Sequence, residues 1–130
     1  MRKSFLNSAK KAAKKSTHQF RVGAILVDGS SIVSKGFNKP DKTHRLAYWN
    51  HCKDKAEHAT MHAEIDALIN VCKKVSEKCT LYVVRLDAKG SLALAKPCEM
   101  CMDVIKNMKI KKVIYSIEER HYGIIDLRDQ

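Results

Sequence analysis

The chain has 130 residues, a formal net charge of +11, 45% hydrophobic residues and 30% charged residues. Its length predicts a single domain over residues 1–130, and its balance of apolar and charged residues excludes a disordered chain. No apolar run reaches the ~18 residues of a membrane span, and the first residues lack the apolar core of a secretory signal. We therefore expect a cytoplasmic protein without membrane association, whose five cysteines are thiols or metal ligands rather than disulfides.

The first part of the chain predicts a helix, a β-hairpin and a long loop. Apolar residues at helical spacing between Arg2 and Lys15 indicate an amphipathic helix whose other face carries lysines. Those lysines are interpreted either as a solvated helix face or as an attraction for a phosphate-bearing partner. Turn residues separate the strand-like runs Val22–Val27 and Ser31–Phe37. The polar segment Asn38–Thr60 then lacks a clear period and predicts a loop.

The second half of the chain alternates helices with strands. The pattern predicts helices from His62 through Cys72 and from near Pro97 through Met108, and strands at Cys79–Leu86, Lys112–Tyr115 and Gly123–Leu127. This alternation favours an α/β fold with a mixed sheet of about five strands and three helices. The connection from Ile117 to His121 is too short for a parallel crossover, so the last two strands are predicted to be antiparallel.

Two short motifs begin the second and third predicted helices. They are His62-Ala63-Glu64 and Pro97-Cys98-Glu99-Met100-Cys101. One imidazole and two thiolates form a ligand set that suits Zn²⁺ and leave a fourth tetrahedral position for water. Cys98 and Cys101 are one helical turn apart and can face the same point, and a helix N-terminus favours the thiolate form. The sequence therefore predicts one catalytic Zn²⁺ ion held by His62, Cys98 and Cys101.

Glu64 is the predicted proton shuttle of this site. It lies two residues after His62, too close in sequence to share its ligand position but within reach of a water at the metal. A carboxylate there can take a proton from that water and deliver it to a substrate. Two alternatives are a closed structural zinc site, with Cys79 or His121 as a fourth ligand, and a chain without metal.

The ordered pair of His-x-Glu and Pro-Cys-x-x-Cys resembles the signature of the zinc-dependent cytidine and deoxycytidylate deaminase superfamily, which also includes tRNA adenosine deaminases. Val22-Gly23-Ala24-Ile25 is similar to the first strand of that family, and Gly36-Phe37-Asn38 is similar to the end of its second strand. The resemblance implies a three-layer cytidine-deaminase-like fold and an acid/base role for Glu64. It also implies that Asn38 contacts the sugar or base of the substrate and that the backbone of Ala63 lines the base pocket.

The branches of that superfamily differ from this sequence in two features. Free-nucleoside cytidine deaminases usually have a cysteine in place of His62, whereas the deoxycytidylate and tRNA branches share the histidine but insert a helix before the last strand. The expected function is hydrolytic deamination of cytosine to uracil in a (deoxy)cytidine nucleotide or in single-stranded nucleic acid. The alternatives are adenosine-to-inosine deamination of RNA or tRNA and, outside enzymes, a non-catalytic zinc-containing module that binds nucleic acid.

Further residues are candidates for the pocket rim. Trp49 in the long loop is interpreted either as a base-stacking residue or as a cap on the hydrophobic core. Arg120, His121 and Tyr122 are predicted to shape a basic and aromatic rim that suits a phosphate beside a base. A second zinc site is an alternative for the loop residues His51, Cys52 and His58. The expected partners are a cytosine-bearing nucleotide or single-stranded nucleic acid, and a homo-oligomer is expected.

Overall fold

The computed structural model describes residues 3–17, 20–39, 62–69 and 78–127, which form an α/β structure. Within these residues there are three helices and six strands. In chain order they are α1 (Lys3–Lys14), β1 (Arg21–Asp28), β2 (Ser31–Phe37), α2 (Ala63–Ile69), β3 (Cys79–Leu86), β4 (Leu92–Ala93), α3 (Glu99–Asn107), β5 (Lys112–Glu118) and β6 (His121–Asp126).

The strands form one mixed sheet in the order β2-β1-β3-β5-β6, and β4 adds to β3. The pair β3–β5 is parallel, and the other pairs are antiparallel. The predicted antiparallel arrangement of the last two strands is therefore confirmed. Their connection is shorter than predicted, because β5 continues to Glu118 and only Glu119 and Arg120 form the turn. Arg120 adopts a left-handed conformation there, with φ of 67°.

Side-chain alternation along the strands divides the core between the two faces of the sheet. In β1, Ile25 and Val27 pack with the apolar side of α1, whereas Ala24 and Leu26 pack with residues of α2 and α3. The result is the expected three-layer arrangement, with α1 on one face of the sheet and α2 and α3 on the other. Because α2 and α3 share a face, the two motifs that begin them can meet.

Polar contacts anchor α2 on β2. The hydroxyl of Ser34 donates a hydrogen bond to the Ala67 carbonyl, and the backbone nitrogen of Phe37 donates to Asp66 Oδ2 over 3.1 Å. The same carboxylate, which is buried, pairs with the ammonium group of Lys39. A buried carboxylate with these partners is satisfied, so it fixes α2 against the end of β2 rather than destabilising it.

The segment between β3 and α3 differs from the prediction because it contains β4. Asp87 Oδ1 accepts hydrogen bonds of 2.9 Å from the backbone nitrogens of both Lys89 and Ser91, which closes a turn after β3. The chain then returns along β3 as β4, and the Ala95 nitrogen donates to the Ser116 carbonyl over 2.8 Å. This path leads the chain back toward the start of α3.

Several predicted features lie outside the described residues. These are most of the long loop, with Trp49 and the alternative second zinc site of His51, Cys52 and His58, and the C-terminal part of the second predicted helix with Cys72. None of the helices formed by the described residues is both long and apolar enough to span a membrane.

Candidate active site

Three of the predicted site residues meet at the beginnings of α2 and α3. His62 directly precedes α2, Cys98 directly precedes α3, and Cys101 lies in the first turn of α3. The Nδ1 atom of His62 lies 3.7 Å from the Cys98 sulfur and 3.3 Å from the Cys101 sulfur. The ligand atoms of the three residues all lie within 4.8 Å of one another. The structure therefore brings together the residues that the sequence predicts as metal ligands.

The donor atoms and their spacing fit a tetrahedral Zn²⁺ ion. Bond lengths of about 2.3 Å to sulfur and about 2.0 Å to nitrogen, at tetrahedral angles, separate the nitrogen and sulfur ligands by roughly 3.5 Å. The separations of 3.3 and 3.7 Å lie on either side of that value. Two thiolates and a neutral imidazole also balance the double charge of the ion. His62, Cys98 and Cys101 are therefore the zinc site of the chain.

The contacts within this group ionise Cys98. Its hydrogen bond with Cys101 is the largest effect and lowers the pKa of the Cys98 thiol to about 4, although burial opposes this change. The hydrogen bond with Cys98 in turn raises the pKa of His62, again against the effect of burial. At neutral pH Cys98 is therefore a thiolate, which is the form that binds zinc.

The two residues considered as a fourth ligand lie elsewhere. Cys79 is buried at the beginning of β3. His121 lies at the beginning of β6, where its Nδ1 atom is 3.0 Å from Glu118 Oε1. Among the described residues, no fourth histidine, cysteine or carboxylate joins the group. Three protein ligands are typical of a catalytic rather than a structural zinc site.

Glu64, the second residue of α2, lies beside the zinc ligands and is buried, with 6% of its surface exposed. Burial raises the pKa of its carboxyl group above the ordinary value, and the nearby imidazole of His62 opposes this increase. A carboxyl group held out of water can bind and release a proton closer to neutral pH than an exposed one. The side chain thus has the chemical character required of a proton carrier.

A cavity of about 290 Å³ adjoins the zinc ligands. His62, Glu64 and Cys98 line its interior, whereas Phe20 and Leu94, which are 48% and 53% exposed, line its mouth. This volume is close to the value of about 300 Å³ at which the range for small-molecule sites begins. The cavity therefore suits one small group, and Glu64 and the zinc ligands lie within reach of it.

Asn38 and Ala63, which the family resemblance implies as substrate contacts, both line this cavity. The side-chain amide of Asn38 donates to the Phe20 carbonyl, and its oxygen accepts a 2.9 Å hydrogen bond from the Val22 nitrogen. Ser16 donates to the Asn38 carbonyl over 2.8 Å. Asn38 thus joins the end of α1, the beginning of β1 and the end of β2, and so holds one wall of the cavity in place.

Arg120 and Tyr122 are not brought to this cavity. Arg120 is exposed in the turn between β5 and β6, and Tyr122 packs against the core cluster on the α1 face of the sheet, opposite the zinc ligands. None of Arg120, His121 and Tyr122 is part of the cavity lining. Trp49 lies outside the described residues. The structure therefore gives no support to the predicted rim of Arg120 and Tyr122.

Two cations that the sequence analysis did not identify line the cavity instead. Arg85 in β3 has its guanidinium carbon 5.0 Å from the centre of the Phe20 ring, and Lys96 lies exposed two residues before Cys98. The Arg85 Nε atom is buried and has no hydrogen-bond partner among the described residues. The alternation of side chains in β3 could have identified Arg85 as a residue of this face. Arg85 is two residues after Val83 and four after Leu81, both of which pack against α2 and α3.

Comparisons with known proteins identify relatives over most of the chain. The family described as "Cytidine and deoxycytidylate deaminase zinc-binding region" matches residues 1–117. The tRNA-specific adenosine deaminase of Aquifex aeolicus (strain VF5) is 31% identical over 123 residues, which cover 94% of this chain and 68% of that protein. The tRNA-specific adenosine deaminase 2 of Xenopus laevis is 30% identical over 105 residues, which cover 78% of this chain and 51% of that protein.

The fold also has a counterpart among solved structures. The crystal structure of cytidine deaminase from Burkholderia pseudomallei matches with a TM-score of 0.71 and 18% sequence identity, over 99% of this chain and 95% of that chain. At this level of identity the match concerns the fold alone. Because the family match includes both motifs and the structure joins them in one zinc site, the chain belongs to the cytidine and deoxycytidylate deaminase family of zinc-dependent deaminases.

Proposed function

We propose that the chain deaminates adenosine to inosine in tRNA. Deamination is supported above all by the position of Glu64, which is buried and lines the same cavity as His62 and Cys98. The choice of adenosine in tRNA is supported by the relatives from A. aeolicus and X. laevis, which are named as tRNA-specific adenosine deaminases. A net charge of +11 also favours a polyanionic substrate.

The reaction adds water at C6 of adenine, breaks the bond from C6 to the exocyclic nitrogen and releases ammonia. His62, Cys98 and Cys101 would hold a zinc ion, which when bound would activate a water molecule for this attack. Glu64 takes a proton from the water, delivers it to N1 of the ring and then transfers a proton to the departing amine. Asn38 keeps the cavity wall in place through its hydrogen bonds with the backbone of Phe20 and Val22.

Cytosine deamination, the main expectation from sequence, is the second candidate. The description of the matched family names cytidine and deoxycytidylate deaminases, and the same side chains would serve for attack at C4 and protonation of N3. The named relatives nevertheless favour the adenosine alternative. tRNA therefore replaces a cytosine-bearing nucleotide as the proposed partner, and the homo-oligomer stays a prediction.

A substrate panel distinguishes these candidates. Purified zinc-loaded protein is incubated with tRNA, adenosine, AMP, cytidine, CMP, dCMP and single-stranded DNA, and inosine and uracil products are measured by mass spectrometry. The proposal expects inosine in tRNA, and none with the Glu64→Ala variant. Uracil products without inosine would overturn the choice of adenosine in favour of cytosine.

The same panel tests the alternative of a non-catalytic binding module. A module of that kind forms no product from any substrate, and its salt-sensitive affinity for tRNA does not depend on Glu64. An enzyme requires Glu64 for turnover, although the variant can still bind tRNA. Tight tRNA binding with no product from any member of the panel would therefore contradict the proposed deamination.

A further inference from the structure

The mouth of the cavity carries two cations to which the deamination chemistry assigns no role. Arg85 and Lys96 line the same cavity as Glu64 and Cys98. We propose that Arg85, assisted by Lys96, binds a phosphate group of the substrate beside the reacting base, an inference that rests on the proposed deamination of a nucleotide. The phosphate is either the monoester of a free nucleotide or a diester of an RNA strand.

The position of Arg85 is fixed from several sides. Its backbone nitrogen donates a 3.2 Å hydrogen bond to the hydroxyl of Ser116, and its strand lies between β1 and β5. The guanidinium carbon is 5.0 Å from the centre of the Phe20 ring, close enough for a cation–π contact. The backbone of Phe20 is in turn held by the side chain of Asn38. The guanidinium therefore has a defined place at the mouth before any substrate enters.

The side chain of Arg85 is half-buried and lines the cavity. Its Nε atom is buried and has no hydrogen-bond partner among the described residues. The two terminal Nη groups of a guanidinium form a planar fork that matches two oxygens of one phosphate. A phosphate in the cavity can meet this fork, whereas a nucleoside brings no anionic group to it.

The charges along the cavity also favour one direction of binding. In the part of the lining that the structure describes, the one acidic side chain is that of Glu64, which lies in the interior. The cations are Arg85 and the exposed Lys96, which lie at the mouth. The two cations attract an anion. A nucleotide is therefore oriented with its base toward Glu64 and its phosphate toward Arg85.

Binding measurements test the subsite without depending on turnover. The Glu64→Gln protein, loaded with zinc, provides the background, and its affinity is measured for adenosine, for AMP and for a short single-stranded RNA with one adenosine. Arg85→Ala, Arg85→Lys and Lys96→Ala are introduced separately. Lys106→Ala, which removes an exposed charge from the end of α3, is the control for a general loss of positive charge.

We expect Arg85→Ala to weaken binding of AMP or of the RNA by about tenfold or more, and binding of adenosine by less than about twofold. Arg85→Lys restores part of the loss because it keeps the charge but not the fork. Lys96→Ala has a smaller selective effect and, for the RNA, lowers the slope of log affinity against log salt by about one. If Arg85→Ala weakens binding of AMP, the subsite accepts a phosphate monoester. If it weakens binding of the RNA alone, the subsite accepts a phosphate diester.

Three results would overturn the subsite. One is that Arg85→Ala weakens binding of adenosine as much as binding of both phosphorylated ligands, while the protein retains zinc and its circular dichroism spectrum. Another is a loss in Lys106→Ala as large as in Arg85→Ala and Lys96→Ala. The third is a selective loss in Arg120→Ala instead of Arg85→Ala. Failure of the proposed function looks different, because no inosine then forms while the Arg85-dependent phosphate binding persists.

Discussion

Gly36 in β2 lies directly against the backbone of Ala67 in α2. A β-carbon added at Gly36 would be 2.3 Å from the Ala67 nitrogen and 2.6 Å from the Ala63 oxygen. Both atoms are backbone atoms that no rotamer change can move away. The absence of a side chain at Gly36 therefore sets the distance between β2 and the helix that carries Glu64 and follows His62.

Gly36→Ala is expected to displace α2 and to disturb the zinc site. Overpacking of this kind costs about 1–3 kcal/mol of folding stability, and the shift moves His62 relative to Cys98 and Cys101. The measurements are zinc content after dialysis and the free energy of unfolding. Gly29→Ala is the control, because a β-carbon at Gly29 meets nothing within 4 Å although its φ is 64°. The prediction is wrong if Gly36→Ala retains zinc as well as Gly29→Ala does.

Replacement of either cysteine ligand is expected to release the metal. Purified wild-type protein is predicted to hold about one zinc per chain, and Cys98→Ser or Cys101→Ser is predicted to lose it together with some stability, because metal binding and folding are coupled. Cys79→Ser is a useful comparison, since Cys79 is a buried thiol away from the ligand group. Metal analysis by mass spectrometry provides the measurement. Unchanged zinc in a Cys98→Ala/Cys101→Ala double variant would refute the assignment.

Glu64→Ala is expected to keep zinc and the fold while losing nearly all turnover. The change removes the proton carrier and leaves the three ligands intact, and general acid–base catalysis typically contributes about 10²- to 10⁴-fold. The measurements are zinc content and the deamination rate on the substrate that the panel identifies. Turnover within about tenfold of wild type would show that another group moves the proton.

Asp87 is expected to make folding stability dependent on pH in the acidic range. Hydrogen bonds from the Ser91 and Lys89 backbone nitrogens lower the pKa of its carboxyl group below the ordinary value of 3.8. A carboxyl group with a lower pKa in the folded state stabilises the fold above the unfolded pKa, and this contribution is lost as the pH falls through the folded pKa. The stability difference between wild type and Asp87→Ala should therefore be constant near neutral pH and shrink below about pH 4. Denaturant unfolding at a series of pH values measures this, and a difference that grows on acidification would contradict it.

Sequence patterns predict the zinc group and most of the elements because those signals are local. The spacing of Cys98 and Cys101 at a helix start and the alternation in β3 both act within a few residues. The short connection before β6 excludes a parallel crossover on length alone. Strand β4 is different, since its two residues pair with β3 through a contact that no local pattern encodes.

The composition of the pocket rim also depends on contacts between distant segments. Tyr122 stands opposite Ser116 because β6 begins at His121, and this register directs its side chain toward the α1 face of the sheet. Arg85 reaches the cavity because β3 lies next to β1, with Arg85 paired to Val22. Alternation within β3 assigns Arg85 to one face of its own strand, but the pairing of β3 with β1 and of β6 with β5 decides which residues of different strands meet at the cavity.

The turn at Asp87 and the strand β4 set one loop of the chain apart from the path that leads to the cavity. Leu86 pairs with Leu92 and Arg85 with Ala93, so the residues between Leu86 and Leu92 form a closed loop that leaves the sheet and returns to it. Insertions within this loop can project outward without changing the path from Ala93 to Cys98. The loop is thus a place to graft an additional recognition segment beside the cavity while the metal centre keeps its geometry.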